Sequence, residues 1–219
     1  MNTTAYVQLL NLSAGLVLVC AFVVVWRRGL AAIIRALAVQ GGALAAVAVV
    51  LGVHEHAVEP LVVAALVLAL KGIAVPRLLL RVVGVSGETR EADPLVNIPT
   101  SLVAAAVLTL VAYATTRSVV AVAPTPATRA IPIGFAVVLI GFFVLATRRK
   151  AITQVVGFLL LDNGIALVAF LATAGLPLVV ELGAALDLLL VVLVLQVLAA
   201  RMRTKFGALD LDQLQELHD

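Results

Sequence analysis

Charge is scarce in this chain: Asp, Glu, Lys and Arg together make up 12% of its 219 residues. A soluble domain carries about a quarter charged residues and is about half apolar, so the scarcity excludes that class. Cysteine occurs once, at Cys20, inside an apolar run; a single thiol gives no intramolecular disulfide and no metal framework. The opening MNTTAYVQ has no basic residue. The apolar run behind it is long enough to span a bilayer, so it reads as a retained helix rather than a cleaved signal. Gly-rich phosphate loops, nucleophile triads, haem-ligand pairs and cysteine clusters are missing, so no cofactor, metal or catalytic residue is expected. The net charge of +3 is no nucleic-acid signal either, because the basic residues are spread as loop anchors without an aromatic-interleaved patch.

What is present is apolar. Hydrophobic residues make up 63% of the chain and the mean hydropathy is +1.20, which makes it an all-α, polytopic membrane protein in contact with the lipid bilayer. Runs of spanning length lie at about 5–25, 31–52, 60–80, 99–116, 131–147, 151–174 and 177–200, so seven transmembrane helices are expected. Pro60, Pro99, Pro132 and Pro177 stand at or near their first positions, where a missing N–H does no harm. Of the fifteen Lys and Arg residues, Arg117 and Arg129 fall in one set of loops and Lys71 inside a helix. The others cluster on the opposite side, at Arg27, Arg28 and Arg35, at Arg77, Arg81 and Arg90, at Arg148, Arg149 and Lys150, and at Arg201, Arg203 and Lys205. Positive charge marks the cytoplasmic loops, so the N-terminus is expected outside and the C-terminus in the cytoplasm, an arrangement that needs an odd number of spans.

An internal repeat is also visible. Aligning Arg27–Arg28 with Arg148–Arg149 sets Gln40–Gly41–Gly42 opposite Leu161–Asp162–Asn163, and aligning Pro60 with Pro177 brings Lys71 within one residue of Asp187. The organisation expected is a three-helix unit over 1–82, a cytoplasmic loop, fourth helix and outer crossing over 83–130, a second three-helix unit over 131–203, and an amphipathic tail over 204–219. The cytoplasmic loop 82–98 is mixed in charge and suits solvent or a docking partner. The outer loop 117–130, with its two prolines, reads as an extended crossing. In the tail, Leu209, Leu211, Leu214 and Leu217 share part of one helical face.

Residues 148–203 carry the strongest signal, an acid near the middle of each of two successive apolar helices, Asp162 and Asp187. An ionisable group within the membrane is expensive and points to function. At a rise of about 1.5 Å per residue, Asp162 lies about 16 Å from the cytoplasmic end of its helix. By the same rise Asp187 and Lys71 lie about 15 and 16 Å from the outer ends of theirs. In a hydrocarbon core of about 30 Å all three reach the midplane, with Gln40 near the same level. Burial disfavours the charged form of acid and base alike, so such groups suit the loading and release of protons. The plainer alternative is a permanent Lys71–Asp187 salt bridge, since buried charges are normally paired. Pro76 removes a backbone bond close to Lys71 and is expected to bend that helix or leave a harmless kink. Glu181, about 6 Å into its helix, reads as a mouth residue; Asn163 and Gln196 read as partners for neighbouring helices. The proton path expected from these positions comprises Asp162, Asp187, Lys71, Glu181, Gln40 and Asn163. His54–Glu55–His56 is an outer-loop cluster where a metal site is the weaker reading.

The segment from about 131 to 203 resembles the small K-type subunit of respiratory complex I and the C subunit of multisubunit cation/proton antiporters. The resemblance rests on the turn Arg148–Arg149–Lys150, the following Gln154–Val155–Val156–Gly157–Phe158, Asn163, and Asp187 ahead of the basic end at Arg201. The family's first glutamate falls near Leu159, whereas this chain has Asp162, one turn later on nearly the same face. The seven-helix form, the LDNG stretch, the spacing from Pro177 through Glu181 to Asp187, and Lys71 are similar to component E of the hydrogenase-4 and formate hydrogenlyase family. That resemblance implies a prokaryotic, multi-pass cell-membrane subunit with no redox centre of its own. It would sit among antiporter-like and quinone-pocket-type subunits, with nickel–iron (NiFe) and iron–sulfur centres on peripheral partners. The implied role is proton translocation coupled to electron transfer. An antiporter subunit and a purely structural spacer are the alternatives.

Overall fold

Proline and asparagine punctuation sets the helix ends in the computed structural model, which describes residues 2–86 and 96–173. Helix α1 (Thr3–Trp26) begins on Asn2, whose side chain accepts from the Thr4 N–H at 3.3 Å, satisfying one of the orphan donors of a first turn. It stops at Arg27, where the backbone is extended. Helix α2 (Leu30–Glu55) ends at His56, which takes the left-handed φ of 55°. The third span is composite: α3 (Glu59–Val67), a π-helical segment Leu68–Ala74, and α4 (Val75–Ser86). Helix α5 (Ile98–Thr115) is capped by Asn97, which accepts from the Thr100 N–H at 2.9 Å. A short helix α6 (Arg117–Val122) and a 3₁₀ turn Thr128–Ala130 lead to α7 (Ile131–Thr147) and α8 (Ala151–Thr173). Pro60, Pro99 and Pro132 each occupy the second position of a helix, as their spacing predicts.

The described residues are all-α, and six stretches are long and apolar enough to cross a membrane: Thr3–Trp26, Leu30–Glu55, Glu59–Gly84, Ile98–Val122, Thr128–Thr147 and Ile152–Thr173. The expected seventh span at 177–200 and the amphipathic tail lie outside the described residues.

One local expectation is corrected and one is refined. The outer loop is not extended over its whole length, because Arg117–Val122 is helical and prolongs the span that starts at Ile98. Nothing in RSVVAV breaks a helix, the Val120 N–H reaches back to the Thr116 carbonyl at 3.0 Å, and the first proline arrives only at Pro124. Beside Lys71, Pro76 is preceded by a π-helical segment rather than a plain α-helix. The Val75 N–H bonds the Leu70 carbonyl, five residues back. Pro76 has no N–H with which to carry that ladder further.

Four helices form the core, packed α1 on α2, α2 on α8, α8 on α7 and α7 on α1. The composite third span lies against α2, and α5 lies against α1 and α7. Burial follows this layout: 67% of the most apolar window of α2 is inside, against 17% for the Ile98–Val122 span. Close approach depends on glycine. A Cβ at Gly141 would stand 2.6 Å from the Leu161 backbone nitrogen, and one at Gly164 would stand 2.6 Å from that of Val138, so α7 and α8 meet backbone to backbone. Small residues are the usual route to such contact in membranes, where lipid gives helices no hydrophobic drive to associate.

Candidate functional site

Buried polar side chains among the described residues fall into two groups. Ser101, Thr116 and Thr153 donate to carbonyls of their own segments, a local device that lets a hydroxyl sit in apolar surroundings. Gln40, Lys71, Arg148 and Asn163 reach across helices instead.

Lys71 lies on the π-helical segment and donates from Nζ to Oδ2 of Asp162 on α8 at 2.5 Å. The two side chains are 5% and 15% exposed, so the ion pair is screened from solvent and held at low dielectric. Its position depends on α2. A Cβ at Gly41 would stand 2.6 Å from the Lys71 carbonyl carbon and 2.8 Å from its oxygen. Only glycine lets the π segment come this close. Pairing leaves no net charge at this point, which suits a medium that penalises isolated charge.

One residue along α8, Asn163 donates from Nδ2 to Oε1 of Gln40 at 2.9 Å, and Gln40 donates from Nε2 to the Val17 carbonyl of α1 at 3.0 Å. Gln40 is fully buried and Asn163 is 2% exposed. A polar chain therefore crosses the core from α1 through α2 to α8, and the adjacent residue of α8, Asp162, makes the separate ion pair to the third span. Every buried side-chain nitrogen and oxygen among the described residues has a partner.

Arg148 belongs to the same set, although sequence reading treats it as a loop anchor. It is 6% exposed and donates from Nη2 to the Val25 carbonyl at 3.0 Å, covering one of the orphan acceptors in the last turn of α1. The available signal is its place as the first residue after α7, directly behind the helix end.

Against this geometry stands one close relative. The uncharacterized protein Rv0085 of Mycobacterium tuberculosis (strain ATCC 25618 / H37Rv) is 48% identical over 220 residues, an alignment covering 100% of each chain. The chain belongs to the Rv0085 family. No family model and no solved structure matches it.

Of the positions expected to form the path, this member of the Rv0085 family brings together Lys71, Asp162, Gln40 and Asn163, and the acid seen against Lys71 is Asp162. Asp187, Glu181 and Gln196 lie outside the described residues. The outer cluster has other engagements: the His54 ring stacks on Tyr6 with centroids 3.9 Å apart, and His56 ends α2. No group of three or more His, Cys, Asp or Glu suited to a metal occurs among the described residues.

Proposed function

We propose that the chain is a membrane-arm subunit of a membrane-bound, hydrogenase-4-like and complex-I-related assembly, contributing to proton translocation coupled to electron transfer elsewhere in that assembly. The Lys71–Asp162 pair is the central element of the path. Gln40 and Asn163 hold its surroundings, and Asp187 and Glu181 extend it along a seventh span. In this reading the N-terminus faces outside and the C-terminus the cytoplasm. The partners are antiporter-like and quinone-pocket-type subunits together with peripheral nickel–iron and iron–sulfur subunits.

One observation carries the reading: a screened lysine–carboxylate pair joins two spanning helices, and its lysine sits on a π-helical segment. Ionisable groups inside a membrane mark ion and proton pathways, and π segments recur where a helix performs a task beyond packing. A second reading, a spacer with its charges locked in pairs, is favoured by the 2.5 Å contact and by the satisfied polar atoms around it.

Purification of the tagged chain from its own membranes in mild detergent, with mass spectrometry of what accompanies it, is the first test. A nickel–iron large subunit among the companions is the expected result. Antiporter subunits without a redox partner point to a cation/proton antiporter instead, and recovery of the chain alone overturns both. Mutation then separates conduction from spacing. Asp162→Asn is expected to abolish proton coupling while the assembly stays intact, and adding Lys71→Met is expected not to restore it. Restoration by the neutral pair establishes the spacer.

A further inference from the structure

The far end of α1 carries a feature unrelated to the polar chain. Leu18, Val19, Phe22, Val23 and Trp26 of α1, with Leu102 of α5, line an open groove of about 350 Å³. Its walls are wholly apolar, and Val19 and Trp26 are 56% and 52% exposed. At the mouth the Arg27 guanidinium lies 4.8 Å from the centroid of the Trp26 ring, and Arg27 and Arg28 are both exposed. No acidic residue precedes Glu55 in the sequence, so Arg27 and Arg28 in the turn and Arg35 on α2 have no acid near them along the chain. Glu88, Glu91 and Asp93, on the loop before α5, lie outside the described residues.

We infer that this groove is a binding site for an anionic glycerophospholipid, with one acyl chain against α1 and α5 and the headgroup phosphate on Arg27. The groove lies in the last turns of a helix long and apolar enough to span a membrane, which sets Trp26 and Arg27 at the height of lipid headgroups. Tryptophan is favoured at that level. Arginine offers a planar fork that matches a phosphate bidentately, and its stacking on Trp26 holds the fork in place. An apolar channel beneath a fixed cation suits a chain ester with a negative head better than a zwitterionic lipid, whose own ammonium competes with the arginine.

The protein supplies its own reporter, because Trp26 is its one tryptophan. The full chain is reconstituted in phosphatidylcholine vesicles containing equal mole fractions of either brominated phosphatidylglycerol or brominated phosphatidylcholine, and quenching of Trp26 fluorescence is measured. The expected result is stronger quenching by the anionic lipid, with a preference of about fivefold for each arginine engaged. Arg27→Gln should remove most of that preference. Val19→Phe, at a position open to lipid, should fill the groove and remove it with both arginines still present. Equal quenching by the two lipids overturns the proposal. So does a preference that survives Val19→Phe, which is plain attraction of anionic lipid to a basic surface. Little quenching by either lipid, the result for a groove filled by a second copy of the chain, overturns it as well.

Discussion

Removing one member of a buried ion pair leaves the other uncompensated, at about 3–5 kcal/mol. Lys71→Met alone and Asp162→Asn alone are therefore expected to lower the melting temperature of the purified protein, and the double variant to recover most of the loss; melting curves in detergent check this. Gln40→Leu strands the Asn163 amide, whereas the Val17 carbonyl keeps its place in the α1 ladder. A loss of about 1–3 kcal/mol is expected for that stranded amide, with strong non-additivity against Asn163→Leu in a double-mutant cycle. The common level of these residues was legible in the sequence, because counting from a proline or a basic turn places them at the same height along their helices. Their pairing was not. Height says nothing about azimuth, and the azimuth of Lys71 depends on the packing of its backbone against Gly41, a contact that no spacing rule reports. The burial of Arg148 was hidden for a related reason: a loop arginine behind a helix end reads the same whether it faces water or the last turn of α1.

At the scale of elements, the caps Asn2 and Asn97 emerged only from the structure, whereas many helix ends were legible because prolines and basic turns mark them. The π segment was not, since one residue of extra winding leaves no trace in an apolar pattern that is hydrophobic on every face. Its longer hydrogen-bond ladder is expected to open more readily than the α ladder of α2, so amides of 68–75 should exchange with deuterium faster than those in the middle of α2. Pro76→Ala restores an N–H and should slow that exchange; hydrogen-exchange mass spectrometry decides it. The α7–α8 seam gives a sharper contrast between glycines. Gly141→Ala forces a methyl to within 2.6 Å of the Leu161 nitrogen, while Gly15→Ala on α1 meets nothing within 4 Å. The first is expected to destabilise by about 1–3 kcal/mol. The second is expected to be neutral or to stabilise by up to about 1 kcal/mol, and thermal melting of the two variants tests both.

For the whole molecule, the distribution of basic residues fixes an expected orientation that thiol labelling can read. Cys20 is buried, so it adds little background. Thr125→Cys is expected to react with a membrane-impermeant reagent from outside, and Lys150→Cys only after the membrane is opened; the reverse pattern inverts the topology. The bond from Asn163 to Gln40 spans 123 residues, as does that from Arg148 to Val25. At about 5–20 residues per second, the ribosome needs on the order of ten seconds to supply the second partner of each. During that interval Gln40 already has the Val17 carbonyl of its own hairpin, so the α1–α2 pair can leave the insertion machinery with one amide oxygen waiting. When the later hairpin enters the bilayer, that oxygen and the uncovered carbonyl at the end of α1 offer it two fixed attachment points, and insertion of the second hairpin is guided by the first.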